Sequence, residues 1–226
     1  MERYNIFYLI HKGLRAALYE TALKLQQNDF NAKEETEEVL NKVKEIVMLF
    51  EGHAVKEDRF IFSAIASYEP SVVAAFEEEH ETNALLAQEL HAAIGTVNKS
   101  RSLGEKIVSG RKLTEHFVHF MVFNLQHMEK QEAGINKILW RYYSDEEIRS
   151  IGAQISQATP PWIQEFYATW MLRGINNTEA ISWIKAIERG SSPLVFQTLL
   201  QKAEQEWPAK RFREVTKSLT EGMQLA

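Results

Sequence analysis

Four consecutive stretches of this chain carry apolar residues at helical spacing, and only short runs of turn-forming residues separate them. The first covers about 2–28 and ends at Asn28, Asp29, Phe30 and Asn31. The second covers about 34–67, and Glu34, Glu35, Glu37 and Glu38 load its first turn as a helix N-terminus prefers. Pro70 opens the third, about 70–98, and the fourth covers about 106–142. Long amphipathic helices with short connections pack beside their sequence neighbours. The expected fold is therefore all-α, an up-down-up-down antiparallel four-helix bundle with a C-terminal helical extension.

The expected division is 1–143 for the bundle and 144–226 for the extension. Ser144 with Asp145, Glu146 and Glu147 reads as an N-cap and acidic first turn. Shorter helical pieces follow near 145–157, 161–174, 178–189, 193–206 and 208–222, broken by Pro160, Pro161, Gly174, Gly190, Pro193 and Pro208. This extension is expected to pack on the bundle or on a partner. Trp162, Trp170, Trp183 and Trp207 are read as its packing anchors.

The chain has no cysteine, which removes thiolate metal sites, disulfides and cysteine nucleophiles; any metal must sit on nitrogen and oxygen. A net charge of -5 gives no footprint for nucleic acid or an anionic membrane surface. The opening MERYNIFYLIHKGLR interrupts its apolar residues with charge too often for an export leader, and no stretch is long and apolar enough to span a bilayer. A cytoplasmic protein with no nucleic-acid or membrane partner is the expectation.

The histidines are not scattered. His11 lies on the first helix, His53 on the second, His80 and His91 on the third, and His116, His119 and His127 on the fourth. Counted from the helix ends, His11, His53, His80 and His127 differ in depth by two to four residues, about 3–6 Å at the helical rise. Four imidazoles can thus meet at one level. Each also continues an apolar stripe: Phe7, His11, Leu14, Leu18; Phe50, His53, Glu57, Ile61; Val73, Phe76, His80, Ala84; Phe120, Phe123, His127. Burying these groups without partners is costly, and a metal ion compensates.

Glu57 stands one turn after His53 on the same face, so the pair can serve one ion or the carboxylate can bridge two. On the fourth helix the equivalent position holds Gln131, a poor ligand. Glu132 is turned about 140° from His127 and reaches only from the flank.

His11 in IHKGLR, His53 and Glu57 in GHAVKEDRFIF, His80 in EEEHE and His127 in NLQHMEKQE together resemble the hemerythrin-like (HHE cation-binding) domains, over about residues 3–142. The resemblance implies a non-haem di-iron centre with His11, His53, Glu57, His80, His127 and Glu132 as ligands, Glu57 and Glu132 being candidate bridges. Manganese or zinc are possible substitutes for iron. It further implies a protein that binds or reacts with dioxygen, peroxide or nitric oxide, or senses iron or redox state. Two departures bear on this: Ala84 stands where oxygen carriers place a second histidine, and Gln131 stands where many relatives have glutamate. Both leave coordination positions open to small ligands.

Other readings compete. A non-catalytic interaction or regulatory module, with a structural metal and an extension that makes a homodimer or docks a protein, fits the same chain, as does a metal-free scaffold. His91 and His116 each lie eleven residues from a proposed ligand and return to nearly the same faces about 16 Å along the bundle, where they can face each other, but a second metal site there is not the expectation. His119 is read as hydrogen-bonded or exposed, and Tyr8 as packing. Glu77 and His80 form a single ExxH unit, where ferritin-like bundles need two.

Overall fold

The computed structural model describes residues 3–221, and every regular element among them is helical. In chain order these are α1 (Tyr8–Gln27), α2 (Lys33–Lys56), a π-helical turn (Glu57–Phe62), α3 (Ser63–Ile65), α4 (Pro70–Lys99), α5 (Leu103–Tyr142) and α6 (Asp145–Ala158), followed by α7 (Pro161–Gly174), α8 (Asn177–Gly190), α9 (Pro193–Glu206) and α10 (Ala209–Glu221).

Three boundaries differ from those read in the sequence. The first helix starts at Tyr8, not near residue 2, because side chains hold the preceding segment in place. Arg3 bonds Asp145 Oδ1 at 2.5 Å and the Tyr143 carbonyl at 2.7 Å, and Trp140 Nε1 donates to the Tyr4 carbonyl at 2.8 Å. The fourth helix starts at Leu103, three residues early, where Ser102 and Glu105 close a capping box. The second helix is not α-helical throughout: at Glu57–Phe62 it widens into a π turn before resuming.

Two compact units make up the chain. The first comprises residues up to Phe7 together with Ala17–Thr159; the second comprises Tyr8–Ala16 and the chain from Pro160 onward. In the first, α4 packs along α5 and α2 packs on α4. Ile148 and Ile151 of α6 join Phe62, Ile65, Phe76 and Leu139 in a buried cluster, so α6, which lies beyond the 143/144 division expected from sequence, packs in this unit. Tyr143 ties the same end together through its hydroxyl, which donates to the Ala64 carbonyl at 2.6 Å.

The second unit has its own apolar core, in which Leu172, Ile184, Leu199, Trp207 and Val215 meet. Arg211 closes the end of α7, donating to the Ile175 carbonyl at 2.6 Å while stacking its guanidinium 4.3 Å above the Trp207 ring. Trp170 and Trp207 are buried as expected. Trp162 is not a packing anchor: it is 55% exposed and touches Phe166 edge-on.

Candidate metal centre

The π turn begins on Glu57, and π bulges inside α-helices recur at functional sites. Glu57 is 1% exposed, and each of its oxygens faces a different imidazole. His53 Nε2 lies 3.0 Å from Oε1, and His80 Nε2 lies 3.3 Å from Oε2. His127, on α5, completes the cluster: Nε2 of His80 and Nε2 of His127 are 3.2 Å apart. Glu57, His80 and His127 each present a ligand atom, and the three atoms lie within 4.8 Å of one another.

The far nitrogen of each ring is held by a carboxylate outside the expected ligand set. His80 Nδ1 lies 2.7 Å from Asp58 Oδ1, and His127 Nδ1 lies 2.7 Å from Glu79 Oε2. An ionised carboxylate only accepts, so both Nδ1 atoms carry the proton and both Nε2 atoms turn toward the cluster. Glu79 is itself held by Lys130, 2.6 Å away. Packing fixes the ring planes, since His80 stacks on Phe62 and Phe76 meets His127 edge-on.

The electrostatics agree with that arrangement. Burial is the largest single influence on His80 and would lower its pKa, but the hydrogen bond and charge of Glu57, joined by Asp58, outweigh it and raise the ring above the usual histidine range. For His127 burial prevails over Glu57 and Glu79, the charge of His80 adds to it, and the pKa falls. Glu79 stays below the usual carboxylate range: burial would raise it, but Lys130 and His127 more than offset that.

The donor set fits a transition-metal cation. With metal–nitrogen bonds of about 2.1 Å, two nitrogens on one ion stand about 3.0 Å apart at a right angle and about 3.4 Å apart at a tetrahedral one. The 3.2 Å between the two Nε2 atoms falls between these values. Gln131, one turn after His127, is fully buried, and neither of its side-chain amide atoms has a hydrogen-bond partner among the described residues. A buried amide in that state is costly and is suited to a ligand position.

The remaining predicted residues fall as follows. His11 is fully buried on α1, in the segment 8–16 that belongs to the second unit. Glu132 is half-buried beside Gln131, outside the Glu57, His80 and His127 group, and its carbonyl accepts from Asn136 Nδ2. Ala84 is exposed, and the inward position after His80 is Asn83. Glu77 is exposed, so the ExxH pattern builds nothing here. His91 and His119 are exposed, and His116 pairs with Glu89 at the surface. The Tyr8 hydroxyl donates to Glu179 at 2.6 Å.

Nitrogen and carboxylate donors converging in the core of a helical unit define a cation-binding protein. The chain belongs to the hemerythrin HHE cation binding domain family, whose model matches residues 3–139. No curated protein and no solved structure matches the chain. Among the described residues, no helix is long and apolar enough to cross a membrane.

Proposed function

We propose that the protein is a non-haem di-iron member of this family, which binds or reacts with dioxygen, peroxide or nitric oxide, or senses iron and redox state. The observation that supports it most is the division of Glu57, whose two oxygens each face a different imidazole, as a carboxylate shared by two cations requires. His80 and His127 would hold one ion, and His53 with Glu57 would hold the other. By the family resemblance His11 and Glu132 complete the set, and Gln131 offers a neutral oxygen in place of a charged one. We read α1, α2, α4 and α5 as the four helices of an up-down-up-down bundle, and the protein as cytoplasmic.

Nitrogen and oxygen donors accept iron, with manganese and zinc as substitutes. When bound, the ions supply open coordination positions and redox chemistry to a small ligand. The chain's part is to fix the donors. Asp58 and Glu79 hold the ring protons on Nδ1, so Nε2 is the nitrogen that His80 and His127 each direct toward a cation. Phe50, Ala54 and Met128 line the cavity beside the donors and limit water there.

The test is metal content per chain in protein made without added metal, with optical spectra in air and after reduction. Two irons and near-ultraviolet absorption that bleaches on reduction, both lost in His53→Ala and Glu57→Ala, are expected. Metal retained by both variants would overturn the site. Zinc bound with no spectral response would favour the second reading, a non-catalytic interaction module with a structural metal. Its partner, a protein or a second copy, would then engage the chain from Pro160 onward, which has an apolar core of its own.

A further inference from the structure

The cavity beside Glu57, His80 and His127 is also lined by two asparagines, Asn83 of α4 and Asn124 of α5, which are 4% and 2% exposed. Their amide orientations are fixed by the hydrogen bonds around them. Asn124 Nδ2 lies 2.9 Å from the Phe120 carbonyl, which can only accept, so that atom is nitrogen. The same nitrogen gives its other hydrogen to Asn83 at 2.8 Å, so the Asn83 atom facing it is oxygen. Asn124 has then used both amide hydrogens. The Nδ2 group of Asn83 is turned away from it and has no acceptor among the described residues.

An amide donor held in one orientation on a side chain only 4% exposed, lining the cavity beside a cation site and without an acceptor among the described residues, is suited to a ligand at that site. The charge pattern of the lining specifies which kind. Glu57 is the one carboxylate among the lining residues, and both of its oxygens face imidazole nitrogens. Asp58 and Glu79 are not among them. What remains for a third molecule is a cation on one side and an amide N–H on the other, within apolar walls. That environment favours a small molecule carrying negative charge.

We propose that Asn83, oriented by Asn124, is a specificity-determining residue of the centre, donating a hydrogen bond that strengthens the binding of small anions such as azide or nitrite relative to that of a neutral diatomic ligand. This rests on the cation-binding reading above. A charge-assisted hydrogen bond in a site of this kind is worth about tenfold in affinity.

The probes are azide and nitric oxide, titrated into the metal-loaded chain and into Asn83→Leu, which keeps the branching of the side chain and removes the donor; Asn83→Ala serves if the larger leucine does not fit. Metal content is measured on each sample, and the infrared stretch of bound azide reports the hydrogen bond directly. The expected result is unchanged metal content and nitric oxide affinity, an azide affinity about tenfold weaker, and a shifted azide stretch. Unchanged azide affinity with an unshifted stretch would overturn the proposal while leaving the cation site intact. Equal weakening for azide and nitric oxide would overturn it too, because the effect would be one of cavity shape. Metal lost from the variant alone would make Asn83 part of the cation's support and refute the selective role. A wild-type chain that takes up no metal defeats the cation-binding reading itself, and this proposal with it.

Discussion

A ligand histidine must offer one unprotonated nitrogen in a fixed direction, and Asp58 and Glu79 impose that on His80 and His127 by holding the opposite nitrogens at 2.7 Å. Asp58→Asn and Glu79→Gln keep the size of each side chain and remove its charge, so each ring loses its anchor without a cavity opening. Each variant is expected to bind the cation roughly 10- to 100-fold more weakly in isothermal titration, with an unchanged far-ultraviolet circular dichroism spectrum. Affinity equal to wild type would show that packing on Phe62 and Phe76 suffices to orient the rings. His53, Glu57, His80 and His127 were legible in the sequence because each continues an apolar stripe, and a polar group in such a stripe has to be accounted for. Asp58 and Glu79 were not, because each directly adjoins a ligand in the chain and falls on a polar face. What gives them their role is a contact with another helix, α4 for Asp58 and α5 for Glu79, and periodicity within one segment carries no record of that. Asn83 escaped for a related reason: it lies three residues after His80 and Ala84 four, and both spacings suit one helix face until the packing decides.

Among the elements, Pro, Gly and capping residues mark the helix ends to within about three residues, the start of α1 at Tyr8 being the exception. The π turn was invisible, because its sequence EDRFIF keeps an ordinary helical pattern of apolar residues; the widening serves Glu57 and Asp58, which point to the cluster, while Ile61 and Phe62 stay in the core. A second feature without a sequence signature is the close passage of α7 against the first turns of α1 within the second unit. A Cβ on Gly174 would overlap the backbone of Lys12, and one on Gly13 would come within 2.9 Å of the Met171 nitrogen. Backbone cannot rotate aside as a side chain can. Alanine in place of helical glycine ordinarily stabilises by up to about 1 kcal/mol, yet here overlap dominates, and Gly174→Ala is expected to cost about 1–3 kcal/mol in chemical denaturation. Gly134, with nothing near its missing side chain, is the internal control: Gly134→Ala should be neutral or stabilising. Equal responses at the two positions would show that α1 and α7 separate readily and that the close passage carries no stability.

For the whole molecule, the two units differ in what holds them together. The first buries the Glu57 carboxylate, the His127 imidazole and the unpartnered amide of Gln131 in its core, groups that a cation would satisfy. The core cluster of the second is leucine, isoleucine, valine, alanine and tryptophan, with His11 its one buried histidine among the described residues. A cation present at a hundredfold excess over its dissociation constant stabilises the native state by about 2.7 kcal/mol, and stripping it with a chelator removes that amount. Because local opening follows local stability, the loss should not be uniform. Hydrogen exchange with and without chelator is expected to show amide protection falling about a hundredfold in α2, α4 and α5 around His53, Glu57, His80 and His127, with α8, α9 and α10 little changed. An equal fall in all helices would mean that the chain opens as one cooperative body, so that the cation stabilises residues that contribute nothing to its site. No change anywhere would mean that the buried polar cluster is stable without a cation, and the metal-free scaffold would then be the better description of the protein.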